Sequence, residues 1–228
     1  IPEILASEST KDYAYTVMEY LGPNFLYQAT HSENSLALYL SLMNSLGKVY
    51  LTSLRESKDG QNAIKVLIEK TMNAYEKYVC QNVDSDRELF HTLQHLCLSI
   101  DLSSINYCCF SNWDFTPEDV YLTDNGVRYS DPLDAVFGIP IIDMACFGGL
   151  VKLYNLPDSD KGYEEFRKFA VGKVADILHI PKGQAEKIFC LGRIFQCFMS
   201  IRFRFETNPK QAVALFQEAK NMIEMLHL

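Results

Sequence analysis

The stretch YCCFSNWDFTPEDVYLTDNGVRYSDP, from Tyr107 to Pro132, decides how the rest of the chain is read. Its first residues, Tyr107 to Phe110, are aromatic or apolar and read as a strand that delivers a loop running from Ser111 to Asp119. Val120 to Leu122 and Val127 to Tyr129 are two more strand-like runs. Between them Asp124-Asn125-Gly126 is a strong hairpin signal, because these residues tolerate the backbone angles of a tight turn. Ser130-Asp131-Pro132 closes the second run. The layout predicts three carboxylates, Asp114, Asp119 and Asp131, at the ends of short strands on one side of a small sheet. Such an arrangement suits phosphoryl transfer, in which a protein orients a hydroxyl and holds Mg²⁺ across phosphates without forming covalent bonds itself. Asp124 and Asp134 read as ordinary turn residues.

Outward from this β segment the texture is helical. Upstream, Leu36, Leu40, Met43 and Leu46 recur at helical spacing after a capping candidate, Ser32, and Ala63, Val66, Leu67 and Ala74 do so after Asp59. A third helix is expected from about Asp84 to Leu98. Three amphipathic helices in a row call for mutual packing, so this part reads as a helical subdomain. The first thirty residues read as two extended pieces, Ile1 to Leu5 and Tyr13 to Leu21, closed by Gly22-Pro23. Downstream, helices are expected over Tyr163 to Leu178, over Ala185 to about Phe203, and from Thr207-Asn208-Pro209 onward. The stripe Phe189, Phe195, Phe198, Met199, Phe203 and Phe205 reads as helix core, and Trp113 as a plug beneath its loop. Arg193, Arg202 and Arg204 read as a solvated or ion-paired face. His91 and His95 share a helix face at metal-ligand spacing, but no third ligand accompanies them.

With 48% hydrophobic and 22% charged residues, the 228-residue chain can bury a sizeable core. Its net charge of -8, from 21 basic and 29 acidic residues, argues against a nucleic-acid partner. The seven cysteines include no CxxC pair and read as free thiols in a reducing cytoplasm. No apolar run is long enough for a membrane span, and the first residues lack the features of an export signal. The sequence starts at Ile1 instead of Met, so a fragment or processed product is expected.

The β segment resembles the catalytic region of the aminoglycoside phosphotransferase and choline-kinase-like families, whose pattern is H-x-D-x-x-x-x-N, a hairpin, I-D, and then G-x-P-x-x-D-L-A. Asn112-Trp113-Asp114 stands where H-x-D would be, Asp119 where the Asn would be, and Asp131 at the metal-binding Asp. Gly138-Ile-Pro-Ile-Ile-Asp143-Met-Ala145 matches the closing motif, and Tyr15 to Leu21 looks like the family's hinge. The resemblance implies an α+β, mostly α fold: a protein-kinase-like C-terminal lobe, helical with a small β-hairpin insert that carries the catalytic and metal-binding loops. Residues 1–30 would be the hinge and a remnant of the N-terminal lobe. Residues 31–228 would be the C-terminal lobe, with a helical subdomain at 31–104, the catalytic insert at 105–145 and C-terminal helices at 146–228. Backbone groups of Glu19 and Leu21 would meet the adenine of ATP, Asp114 would orient the attacking hydroxyl of a small-molecule substrate, and Asp119 and Asp131 would hold Mg²⁺. Asn112 and Asp143 would support the loop, Asp143 through backbone N–H groups. The glycine-rich loop and phosphate-binding Lys of such kinases have no counterpart in the sequence, so an N-terminal lobe is expected from outside it or from another chain. Asn112 for His and Asp119 for Asn are departures that also admit a catalytically inactive kinase-fold interaction module.

Overall fold

The computed structural model describes residues 4–9, 14–18, 21–80, 87–112, 115–124, 126–129 and 135–227. Two strands, β1 (Ile4–Ser9) and β2 (Ala14–Met18), pair antiparallel, with Ile4 opposite Met18 and Ser9 opposite Ala14. A helix, α1 (Phe25–His31), follows just beyond the expected extended run to Leu21, where the sequence reading assigns no element; it is started by Asn24, whose side chain accepts from the Tyr27 N–H at 3.0 Å. Phe25 and Ala29 are fully buried in the main core, so a boundary at residue 30 cuts through an element that packs as one. The next helix, α2 (Ser35–Ser53), is capped by Asn34, which accepts from the Ala37 N–H at 3.1 Å, whereas Ser32 ends α1. After the short strand β3 (Arg55–Glu56), α3 (Asp59–Ala74) runs into a π turn at Tyr75–Val79. Helix α4 spans Arg87–Leu98, and the start expected near Asp84 lies outside the described residues.

The β segment contains β4 (Tyr107–Asn112), β5 (Val120–Thr123), β6 (Gly126–Tyr129) and β7 (Ala135–Gly138). The hairpin forms as its turn residues predict, with Thr123 opposite Gly126 and Gly126 at φ +107, an angle costly for any residue with a Cβ. It does not join one small sheet with β4. The β4 strand meets β3 through Tyr107 and Cys108, and β7 through Cys109 to Asn112, and among the described residues the hairpin pairs only with itself.

Helix α5 (Pro140–Leu153) begins inside the stretch assigned to the β insert, with Pro140 preset for the first turn. It is followed by α6 (Ser159–Phe169), a π turn at Ala170–Val174, the short α7 (Ala175–Ile177), α8 (Lys182–Thr207) and α9 (Pro209–His227). Residues 140–149 of α5 are all buried, which explains why its sequence shows no polar stripe: neighbours cover it on every side. Phe147 sits among Phe115 at 4.5 Å, Phe166 at 5.3 Å and Phe25 at 5.5 Å between ring centroids, joining α1, the loop after β4 and α6.

Of the two readings of the arginine cluster, solvated or ion-paired, Arg193 of α8 takes the second, and it does so in the interior, at 1% exposed. Its guanidinium donates to both oxygens of Glu218 on α9, at 3.1 and 2.7 Å, and to the side chain of Gln196. Gly149 of α5 makes room for it, since a Cβ there would run into the Arg193 guanidinium. Arg202 is exposed and stacks on Phe203 and Tyr78, while Phe203, placed in the core by the sequence, is 61% exposed.

Phe147→Ala is expected to cost about 3–5 kcal/mol in urea unfolding, because a fully buried ring at a three-way junction leaves a cavity that cannot collapse. Met225→Ala, on the exposed side of α9, should stay within about 0.5 kcal/mol. Similar losses for the two would show that Phe147 is not the packing centre.

Candidate active site

The end of β4 is tied down at three successive residues. The Phe110 N–H donates to Ser53 Oγ at 3.0 Å, Ser111 Oγ donates to Asp143 Oδ1 at 2.7 Å, and the Asn112 N–H donates to Asp143 Oδ2 at 3.0 Å. Asp143 lies in the first turn of α5 and is 3% exposed. Burial pushes its acid up to about 7, against the two hydrogen bonds, which favour the charged form. Asn112, 3% exposed, is therefore held through its backbone beside the carboxylate of the closing motif.

The loop resumes at Phe115, 2% exposed and packed on Phe147. Beyond it, the Leu26 N–H donates to the Pro117 carbonyl at 3.0 Å, Asn24 Nδ2 donates to the Glu118 carbonyl at 3.1 Å, and Gln28 Nε2 reaches the Leu122 carbonyl at 3.1 Å. The unanticipated helix α1 thus docks the loop. At the loop's end, the Asp119 N–H bonds back to the Thr116 carbonyl at 3.1 Å, and its Oδ2 accepts the Thr116 hydroxyl. Among the expected site residues, Glu19, Asp114 and Asp131 lie outside the described residues, as does Trp113, and Leu21 is partly buried ahead of α1.

Beside the loop opens a cavity of about 1040 Å³. Phe115 and Thr116 meet it from the loop, α3 forms one wall, α8 the opposite one, and the C-terminal end of α5 closes it with Leu153 and Tyr154. The stripe expected as helix core is divided: Phe189 and Phe198 are buried, whereas Phe195, Met199 and Phe203 face this cavity. Burial first, and then the charge of the nearby Glu118 carboxylate, push the Tyr154 hydroxyl up to about 12. Glu118 Oε2 is buried and takes no hydrogen bond among the described residues. Ser111, Glu118 and Tyr154 escaped the sequence reading because a serine in a strand, a second acid in a turn and a tyrosine at a helix end carry no local signal.

The donors fit Mg²⁺ in kind. Carboxylate oxygens are its usual protein ligands, and it commonly takes only one or two of them beside phosphates and water. Among the described residues no group of three or more His, Cys, Asp or Glu gathers as a metal site, and His91, exposed on α4, bonds to Gln94 at 3.2 Å.

Because Asp143 is more basic in the folded protein than its ordinary value of 3.8, the folded state holds the proton more tightly between about pH 4 and 7. Its contribution to stability is complete below that window and lost as pH rises through 7. The difference in unfolding free energy between wild type and Asp143→Asn should therefore shrink across the window, by up to about 1.4 kcal/mol per pH unit. Urea melts giving a constant difference from pH 4 to 7 would overturn this.

No family model matches the chain, and no curated protein matches it by sequence. Solved structures do. A protein of Ralstonia eutropha JMP134 named as an aminoglycoside phosphotransferase superposes with a TM-score of 0.61 at 12% identity, covering 100% of this chain and 77% of that one. A choline kinase of Cryptosporidium parvum Iowa II superposes with a TM-score of 0.50 at 16% identity, covering 100% of this chain and 75% of that one. With the buried helix α5 closing on a loop that leads out of β4, this mostly helical chain has the protein-kinase-like fold shared by those two phosphotransferases.

Proposed function

We propose that the chain is the catalytic lobe of an ATP-dependent phosphotransferase acting on a small-molecule hydroxyl. The observation that carries this reading is the grip of α5 on both flanks of Asp114: Asp143 holds Asn112 on one side and Phe147 packs on Phe115 on the other. A loop clamped this way suits a group that must meet a hydroxyl in one geometry, since positioning and electrostatics supply most of the catalysis in phosphoryl transfer.

In this reading the carboxylate of Asp114 accepts the proton of the attacking hydroxyl. The hydroxyl oxygen bonds to the γ-phosphorus, the bond from that phosphorus to the bridging oxygen breaks, and its electron pair leaves on ADP. Asp119 and Asp131 would hold Mg²⁺, which when bound supplies positive charge against the phosphates. Backbone groups of Glu19 and Leu21 would receive the adenine. No helix among the described residues is long and apolar enough to cross a membrane, and the reading places the protein in the cytoplasm with neither nucleic acid nor membrane as partner. A second reading, an inactive interaction module, is favoured by Asn112 in place of the expected His and by the Thr116 hydroxyl already bound to Asp119.

Two substitutions, with Asp124→Ala as the control, test these readings. Asp131→Ala is expected to abolish Mg²⁺-dependent nucleotide binding by calorimetry, whereas Asp124→Ala, at the hairpin turn, should leave it nearly intact; equal effects would remove Asp131 from the metal site. Asp114→Asn should lower kcat on the order of 10² to 10⁴-fold with little change in nucleotide affinity, because the carboxylate acts in the transition state. A variant that transfers phosphate as fast as wild type would exclude Asp114 as the base. If neither protein transfers phosphate while both bind a protein partner, the interaction module is the function.

A further inference from the structure

We infer that the cavity beside the loop selects an amphipathic anion: an alcohol with a long apolar body and an anionic group. The inference rests on the phosphotransferase reading only in calling that molecule an acceptor. The starting observation is a reversal of charge. The chain carries a net -8, yet the described residues that line the cavity bring Arg55, Lys70 and Arg204 against one carboxylate, Asp59. Arg55 and Asp59 close on each other at 2.5 Å. The Arg204 guanidinium, by contrast, makes no hydrogen bond or ion pair among the described residues, and it stands close enough to Tyr154 to act on its hydroxyl electrostatically. A cation at the wall of a largely apolar cavity attracts a ligand anion more strongly than it would in open water, because the surrounding dielectric is lower.

An aromatic-rich cavity could instead hold a cation over its rings. Here the protein's own arginines already lie over two of the lining rings. The Arg55 guanidinium lies 3.3 Å from the centre of the Phe137 ring, and Arg202 lies 5.1 Å from that of Phe203. A ligand cation would find those two rings taken and would face Arg204. What the aromatic and aliphatic walls offer is room for an apolar body, since about 1040 Å³ is at the upper end of small-molecule sites.

The test is calorimetry on the full chain, without nucleotide, with three probes of equal length: ω-hydroxydecanoate, ω-hydroxydecyl-trimethylammonium and decanediol. The carboxylate is expected to bind at least about ten-fold more tightly than the ammonium. Arg204→Met, checked for folding by thermal melting, should weaken the carboxylate about ten-fold and leave decanediol unchanged. Phe195→Ala should weaken all three. Equal or tighter binding of the ammonium, no effect of Arg204→Met, or no binding of any probe would each overturn the inference. Because nucleotide is absent, binding is read independently of phosphoryl transfer. Tight carboxylate binding with no phosphate ever transferred would sink the phosphotransferase reading and leave this one standing.

Discussion

A carboxylate buried at the start of α5 is the constraint on which the site is built. Taking Asp143 out of water carries a large penalty unless donors meet it, and the donors it finds belong to the last two residues of β4, Ser111 and Asn112. The strand must therefore end against the helix. One turn further along the same face, Phe147 meets Phe115, so the helix also fixes where the described chain continues after Asn112. A polar anchor and an apolar anchor thus act from one rigid element, and the same Phe147 ring reaches Phe25 and Phe166, tying the loop's position to the packing of the whole core.

Arginine serves three purposes in this acidic chain, and environment alone distinguishes them. Arg193 is sealed between α5, α8 and α9, where its fork meets the Glu218 carboxylate with both donors and Gln196 takes another. Arg55 is bound to Asp59 and laid on Phe137, so its charge is largely spent within the protein. Arg204 keeps its charge for the cavity. The side facing the loop carries the opposite sign, with Glu118 against Tyr154 and Asp119 held by Thr116. A ligand in between would meet a polar gradient instead of a uniformly greasy wall.

The β segment was legible in the sequence because its signals are local. Asp124-Asn125-Gly126 demands a tight turn wherever it occurs, Pro140 starts a helix, and the spacing of Asp114, Asp119, Asp131 and Asp143 follows a pattern that resembles known kinases. The seven-residue helix α1 was missed because the β-branched and aromatic run before it reads as extended and the helix is too short to show periodicity. Its formation depends on Phe25 entering the core and on the loop carbonyls of Pro117 and Glu118 accepting its donors, partners more than ninety residues away.

By itself the sequence determined the mostly helical class and the hairpin and singled out Asp143, since each follows from residues close along the chain or from the order of a motif. Tertiary structure alone decided that the β segment splits into two sheets, that Arg193 is buried while Arg204 is not, and that Phe195, Met199 and Phe203 face a cavity. A helical stripe announces only that one side is apolar. Whether that side meets another helix or an open space depends on how far apart α3, α5 and α8 stand, and that separation is set by contacts between residues distant in sequence.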